Sequence, residues 1–127
     1  EPEVVAPTPA YTFNKYQATV LFDTDKSVIL ADGEGSLTQL VMATGLAESV
    51  ISVQVVGHAD TRGTDAYNMS LSERRMYSVV KYLEALKLKV TSMFARGETS
   101  PVMGDSGEDL AKSRRVEVTI KTRHLKD

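Results

Sequence analysis

The chain predicts an α/β (α+β) two-layer sandwich. Its mixed four-stranded sheet follows the order strand, helix, strand, helix, strand, strand, with both helices on one face. Three observations carry that reading. Met76, Val79, Val80, Leu83 and Leu86 recur at helical spacing. Short apolar runs ending in Asp or Gly alternate with the helical segments, the pattern of layered α/β units. Right-handed crossovers between such strands place both helices on the same side of the sheet. At 127 residues, with 42% hydrophobic and 25% charged side chains, the chain suits one ordinary globular core.

The first ten residues, EPEVVAPTPA, hold three of the four prolines and no periodic pattern. Residues 1–17 are therefore expected to be a Pro-rich, extended N-terminal tether to something upstream. Ala18–Phe22 reads as the first strand, closed by Asp23. Leu37, Leu40, Val41 and, less regularly, Ala47 mark the first helix, weakened by Gly33, Gly35 and Gly45. Ser52–Val56 reads as the second strand and stops at Gly57. The clearer second helix is expected to start at a capping box, Ser70 with Glu73. Ser92–Arg96, closed by Gly97, is a weaker third strand. Arg115–Thr122 alternates, with Val116, Val118 and Ile120 facing the core and Glu117, Thr119 and Lys121 facing away. The domain is expected to span 18–123, with a tail at 124–127.

Composition excludes several functions. Fifteen Lys and Arg against 17 Asp and Glu give a formal charge of −2, which argues against general nucleic-acid binding. No apolar run is long enough to cross a bilayer, so membrane association is expected only through an upstream segment. With no Cys there is no disulfide, thiolate metal site or cysteine nucleophile. His58 and His124, far apart, make no zinc pair, and His58 is expected to hydrogen-bond within its loop. No Gly-x-Ser-x-Gly nucleophile elbow occurs. The five methionines read as core filler. No cofactor is implied.

The densest polar stretch is Gly57-His58-Ala59-Asp60-Thr61-Arg62-Gly63-Thr64-Asp65-Ala66-Tyr67-Asn68. It begins where a buried strand ends, the usual ligand position in an open α/β sheet. Beyond it, Ser72-Glu73-Arg74-Arg75 places Arg74 toward solvent and Arg75 at the border of the buried face, near the helix start. A cation there invites an anion, either a ligand or a salt-bridge partner such as Asp60, Asp65 or Glu73. Asp60 and Arg75 held across a small gap can grip a zwitterion, carboxylate to ammonium and guanidinium to carboxylate. A pocket-edge Arg75 is expected to carry little of the core, so that Arg75→Ala leaves the fold intact. Arg114-Arg115, taken alone, reads as a solvated pair.

Two acidic segments support an alternative of another class, a magnesium-dependent phosphatase resembling the haloacid dehalogenases. There Asp23 would be the nucleophile and Asp25 the acid/base, with Asp105 and Asp109 holding the metal. That reading leaves the Gly57–Asn68 stretch and the helix arginines unused.

Phe22-Asp23-Thr24-Asp25-Lys26, the Gly57–Gly63 stretch, Tyr67-Asn68, Leu71-Ser72-Glu73-Arg74-Arg75 and Ser113-Arg114-Arg115-Val116-Glu117 occur in the order found in a known family. Together they resemble the OmpA-like peptidoglycan-binding domain, the module shared with the flagellar stator protein MotB and the Pal lipoproteins. The resemblance runs from about Ala18 to Arg123. It implies a non-enzymatic anchor to the Gram-negative cell wall, periplasmic and tethered from its N-terminal side, chiefly to the outer membrane. The ligand it implies is the meso-diaminopimelate of a peptidoglycan stem peptide, gripped by Asp60 and Arg75. Asn68 and Thr61 are expected around that pocket, with Asp25, Arg114 and Arg115 on its rim. The resemblance is also compatible with a homodimer. Two positions depart from the family pattern: Ser113 stands where Asn is common, and Met76 where a small residue is usual.

Overall fold

The computed structural model describes residues 10–44 and 49–125. Most of the tether, together with Gly45, Ala47 and the last two residues, lies outside them. Four strands form the main sheet in the order β1 (Tyr11–Leu21), β6 (Arg115–Leu125), β2 (Val50–Gly57), β3 (Ser92–Ala95). β6 runs antiparallel to both β1 and β2, and β3 runs parallel to β2. The sheet is therefore mixed.

Helices α1 (Ala31–Ala43) and α2 (Asp65–Ala85) cover one face. Strand residues Val20, Val53, Val55, Val116, Val118 and Ile120 interlock there with Leu37 and Leu40 of α1 and with Met76, Val79, Val80 and Leu83 of α2. This one apolar layer supplies most of the driving force for folding. The alternation expected for the last strand holds: Val116, Val118 and Ile120 are fully buried while Thr119 and Lys121 face out.

Both strands of the β1–β6 pair are longer at one end than their apolar patterns predict. β1 starts at Tyr11, so that the last seven residues of what reads as tether are strand, and it pairs with β6 through to Leu125. His124 and Leu125 are thus strand and not tail. Backbone hydrogen bonds extend this ribbon past the core, where Phe13 is 65% exposed and no buried face announces a strand.

α2 also starts earlier than expected. Its N-cap is Thr64, whose Oγ1 accepts the Tyr67 N–H at 3.2 Å, so the Ser70–Glu73 capping box is not formed. The helix needs close backbone contact with the sheet. A Cβ on Gly57 would lie 2.3 Å from the Ser72 carbonyl oxygen, and one on Gly33 would lie 2.7 Å from Val20 Cγ1. The glycines that weaken the first helix in sequence are in part what lets it dock.

Three short elements escape periodicity altogether. β4 (Met103–Gly104) and β5 (Gly107–Glu108) form a small hairpin, and α3 (Leu110–Ser113) is capped by Asp109, whose Oδ1 accepts the Lys112 N–H at 3.0 Å. Of the methionines only Met76 is buried. Met42, Met69, Met93 and Met103 are exposed, so most are not core filler. Among the described residues no helix is long and apolar enough to cross a membrane.

Candidate functional site

β1 and β2 end at the same edge of the sheet, on either side of β6, and the loops that leave them meet the first turns of α2. Between them lies a pocket of about 240 Å³ whose walls include Asp25, Asp60, Arg62, Tyr67, Asn68 and Arg75. Thr64 as N-cap explains the wall from α2. With the helix starting there, Asn68, Leu71 and Arg75 fall at i, i+3 and i+7 on one face.

Arg75 is 0% exposed, not at a border, and it sits in the third turn of α2, where the helix dipole has little effect. Its Nε donates to the Lys26 carbonyl at 2.8 Å, Nη1 to the His58 carbonyl at 3.1 Å, and Nη2 to the Asp23 carbonyl at 3.0 Å. The guanidinium also lies over the Phe22 ring at 5.4 Å. Burial lowers its pKa to about 10, partly opposed by the Asp60 charge, so it remains a cation at neutral pH. No ion pair joins it to Asp60, Asp65 or Glu73 among the described residues. Three of its five N–H groups bind main-chain carbonyls, and the residue lines the pocket. These carbonyl contacts make Arg75 a tie between the loops after β1 and β2. Its removal is therefore expected to cost stability, more than a side chain at the pocket edge would.

Asp60 is 7% exposed and carries its own cations. Oδ2 accepts Arg62 Nη2 at 2.8 Å, and Oδ1 accepts the Arg62 main-chain N–H at 3.0 Å and its Nε at 3.3 Å. Arg114 Nη1 stands 3.5 Å from Oδ2. Burial acts to raise the Asp60 pKa, but the hydrogen bonds and charge of Arg62, with Arg114, outweigh it and hold the carboxyl below its ordinary value. The Arg62 side chain is half exposed and reaches on to Thr24 Oγ1 at 3.3 Å, so it lies across the mouth of the pocket.

The remaining expected residues divide. Asn68, buried, donates through Nδ2 to the Arg62 carbonyl at 2.8 Å and to Glu98 Oε1 at 3.2 Å, fixing the loop in front of Asp60. Asp25, in a left-handed conformation at φ 57, accepts the Tyr67 hydroxyl at 3.0 Å. Thr61 points elsewhere: its N–H and hydroxyl both donate to Glu108 Oε1 on β5. Arg114 supports the pocket from behind, its Nε on the Phe22 carbonyl at 2.9 Å.

Arg115 lies outside the pocket. Strand alternation turns it to the open face of the sheet, where its Nε is 3.3 Å from Glu117 Oε2. His58 Nε2 meets Glu117 Oε1 there at 2.8 Å, across the sheet and not within its own loop. Burial and the Arg115 charge lower the His58 pKa against the pull of Glu117, so the ring is neutral at pH 7. Arg114 and Arg115 are thus neither a solvated pair nor a joint rim. Ser113, fully buried, accepts the Val102 N–H at 2.9 Å and ties down the hairpin away from the pocket.

Among the pocket residues to which sequence reasoning gave no role are Arg62 and Tyr67, although both lie in the quoted motifs. Recognising Thr64 as N-cap would have placed Tyr67 beside Asn68 on the first turn. Nothing in the spacing marks Arg62 as the partner of Asp60. The pocket brings carboxylates and guanidiniums onto one small cavity, an arrangement suited to a ligand carrying both charges. The phosphatase alternative fares worse. Asp109 is occupied as the cap of α3, Asp105 lies between β4 and β5, and no three acidic or histidine side chains among the described residues are grouped to hold a metal.

Known proteins share both the sequence and the fold. Outer membrane protein A of Shigella flexneri is 37% identical over 93% of this chain, and the chain spans 39% of that relative's length. A second outer membrane protein A, from Escherichia fergusonii, is 36% identical over 83% of the chain and 49% of the relative. The peptidoglycan-associated lipoprotein of Burkholderia pseudomallei superposes with a TM-score of 0.68 at 23% identity, covering 80% of this chain and 88% of that one. The cell wall anchor of the T6SS from Pseudomonas aeruginosa superposes with a TM-score of 0.65 at 24% identity, covering 88% and 87%. The OmpA family pattern itself matches residues 21–115, from the end of β1 through the pocket to the start of β6, and the chain belongs to the OmpA family.

Proposed function

We propose that this domain binds peptidoglycan without catalysis and so anchors an envelope protein to the cell wall from the periplasmic side. The ligand in this reading is the free ammonium-and-carboxylate end of meso-diaminopimelate in a stem peptide. One observation carries it: Asp60 and Arg75, opposite in charge, both line one small pocket, Arg75 held by main-chain carbonyls and Asp60 by the Arg62 main-chain N–H and Arg114. Reorganisation on binding is then confined to the Arg62 side chain.

The ligand ammonium takes the place of the Arg62 guanidinium on Asp60, while Arg114 keeps the carboxylate in position. The ligand carboxylate takes the N–H groups of Arg75 that the carbonyls of Asp23, Lys26 and His58 leave over. Asn68 and the Asp25–Tyr67 pair shape the remaining wall. Arg115 and Thr61 act only by holding the surrounding loops. Membership of the OmpA family and the fold shared with a peptidoglycan-associated lipoprotein and a cell wall anchor support the same reading. Attachment to the outer membrane belongs to whatever precedes the domain.

Cosedimentation with purified sacculi tests it. The wild-type chain is expected in the pellet, and Asp60→Ala and Arg75→Lys in the supernatant, each with a wild-type circular dichroism spectrum. A folded Asp60→Ala that pellets like wild type overturns the reading.

A further inference from the structure

The sheet continues beyond its core at the end remote from the pocket. β2 stops pairing with β6 at Val50–Thr122, so Tyr11–Phe13 and Arg123–Leu125 run on as a two-stranded ribbon. Cross-strand partners share a face, and alternation from Glu117 and Thr119 puts Lys121, Arg123 and Leu125 on the face away from the helices. Their partners Lys15, Phe13 and Tyr11 lie there too.

This surface is arranged at some expense to the fold. Lys15 and Lys121 are direct cross-strand partners, and like charges in that position destabilise a sheet. None of Lys15, Lys121 and Arg123 forms an ion pair among the described residues. Phe13 and Leu125 are 65% and 63% exposed, and Arg123 stacks on the Tyr11 ring at 4.6 Å. From the tip inward the order is Tyr11 with Leu125, Phe13 with Arg123, then Lys15 with Lys121, over roughly 13 Å of strand. Apolar and aromatic groups come first and cations behind them.

That order matches the depth profile of a bilayer surface, where aromatic rings sit among the headgroups and Lys and Arg meet the phosphates. A second copy of the chain fits poorly, because a two-fold contact would oppose three cations to three cations. We propose that the ribbon docks on an anionic phospholipid surface, with Tyr11, Phe13 and Leu125 in the headgroup layer and Lys15, Lys121 and Arg123 on its phosphates. β1 then spans the distance between membrane and pocket, roughly 34 Å. The proposal is independent of what the pocket binds.

Vesicle flotation tests it on the whole chain. The chain is expected to float with phosphatidylglycerol–phosphatidylcholine vesicles and not with phosphatidylcholine alone, and to detach as salt is raised. Lys15→Gln/Lys121→Gln/Arg123→Gln should weaken partitioning by about 100-fold. Phe13→Ser/Leu125→Ser, with the charges intact, should also weaken it. Lys121→Glu, which gives Lys15 an opposite charge, should raise the melting temperature while reducing flotation. Failure of the wild type to float, equal flotation on neutral vesicles, or unchanged flotation of either multiple variant overturns the proposal.

Discussion

Arg75→Ala tests how the pocket is built as well as what it binds. Truncation takes the guanidinium donor from the carbonyls of Asp23, Lys26 and His58, two in the loop after β1 and one after β2, of which Asp23 keeps the Lys26 N–H at 3.1 Å. Each such loss costs about 1–3 kcal/mol when the acceptor stays buried. The relief of a buried charge, visible in the pKa lowered to about 10, offsets part of that. Only the His58 contact is fully buried, so a net loss of about 2–3 kcal/mol follows, a large share of the 5–15 kcal/mol typical of a domain. Urea unfolding followed by circular dichroism measures it directly, and the melting temperature should fall by about 10 °C. Arg75→Lys should recover part of the stability, since the ammonium still reaches some of the carbonyls, yet not the binding, for want of the guanidinium fork. A loss below about 1 kcal/mol for Arg75→Ala would refute the argument, because the three contacts would then not be holding the loops.

Arg74→Ala should pellet with sacculi almost as wild type, since Arg74 is exposed and only approaches the Tyr67 ring at 5.9 Å. Asp60 is held below its ordinary pKa of 3.8, so its contribution to stability is present above that value and lost as pH falls through the lower folded value. Asp60→Asn should therefore flatten the acid limb of a urea-midpoint series taken from about pH 5 to pH 2. Gly57→Ala puts a methyl 2.3 Å from the Ser72 carbonyl oxygen, forces α2 off the sheet and should cost at least about 3 kcal/mol in urea unfolding.

The parts of the fold legible in sequence are those with a buried periodic face. Val116, Val118 and Ile120 at period two, and Met76, Val79, Val80 and Leu83 at helical period, give two of the five elements of the core outright. The β1–β6 ribbon was not legible past Ala18 and Thr122, because main-chain pairing there is unaccompanied by burial. The start of α2 was missed because its first turn carries polar pocket residues in place of an apolar stripe. Within the site, Asp60 and Arg75 were legible as opposite charges on neighbouring loop and helix. Their environments were not, since spacing cannot tell that Arg75 spends three N–H groups on carbonyls 17 to 52 residues away. The neighbours Arg114 and Arg115 separate for a simpler reason: consecutive residues at a strand entry face opposite sides, so one supports Asp60 and the other joins Glu117.

The zwitterion clamp is tested most directly by calorimetry with stem peptides that differ only at the third residue. In such a peptide meso-diaminopimelate offers the pocket both an ammonium and a carboxylate at its free end, whereas L-lysine, its α-groups locked in peptide bonds, presents only the ammonium there. Loss of one charge-assisted pairing of about 1.5–3 kcal/mol predicts that the L-lysine peptide binds roughly ten- to a hundredfold more weakly. Equal affinities for the two ligands would contradict the clamp, because Arg75 would then contribute nothing to recognition.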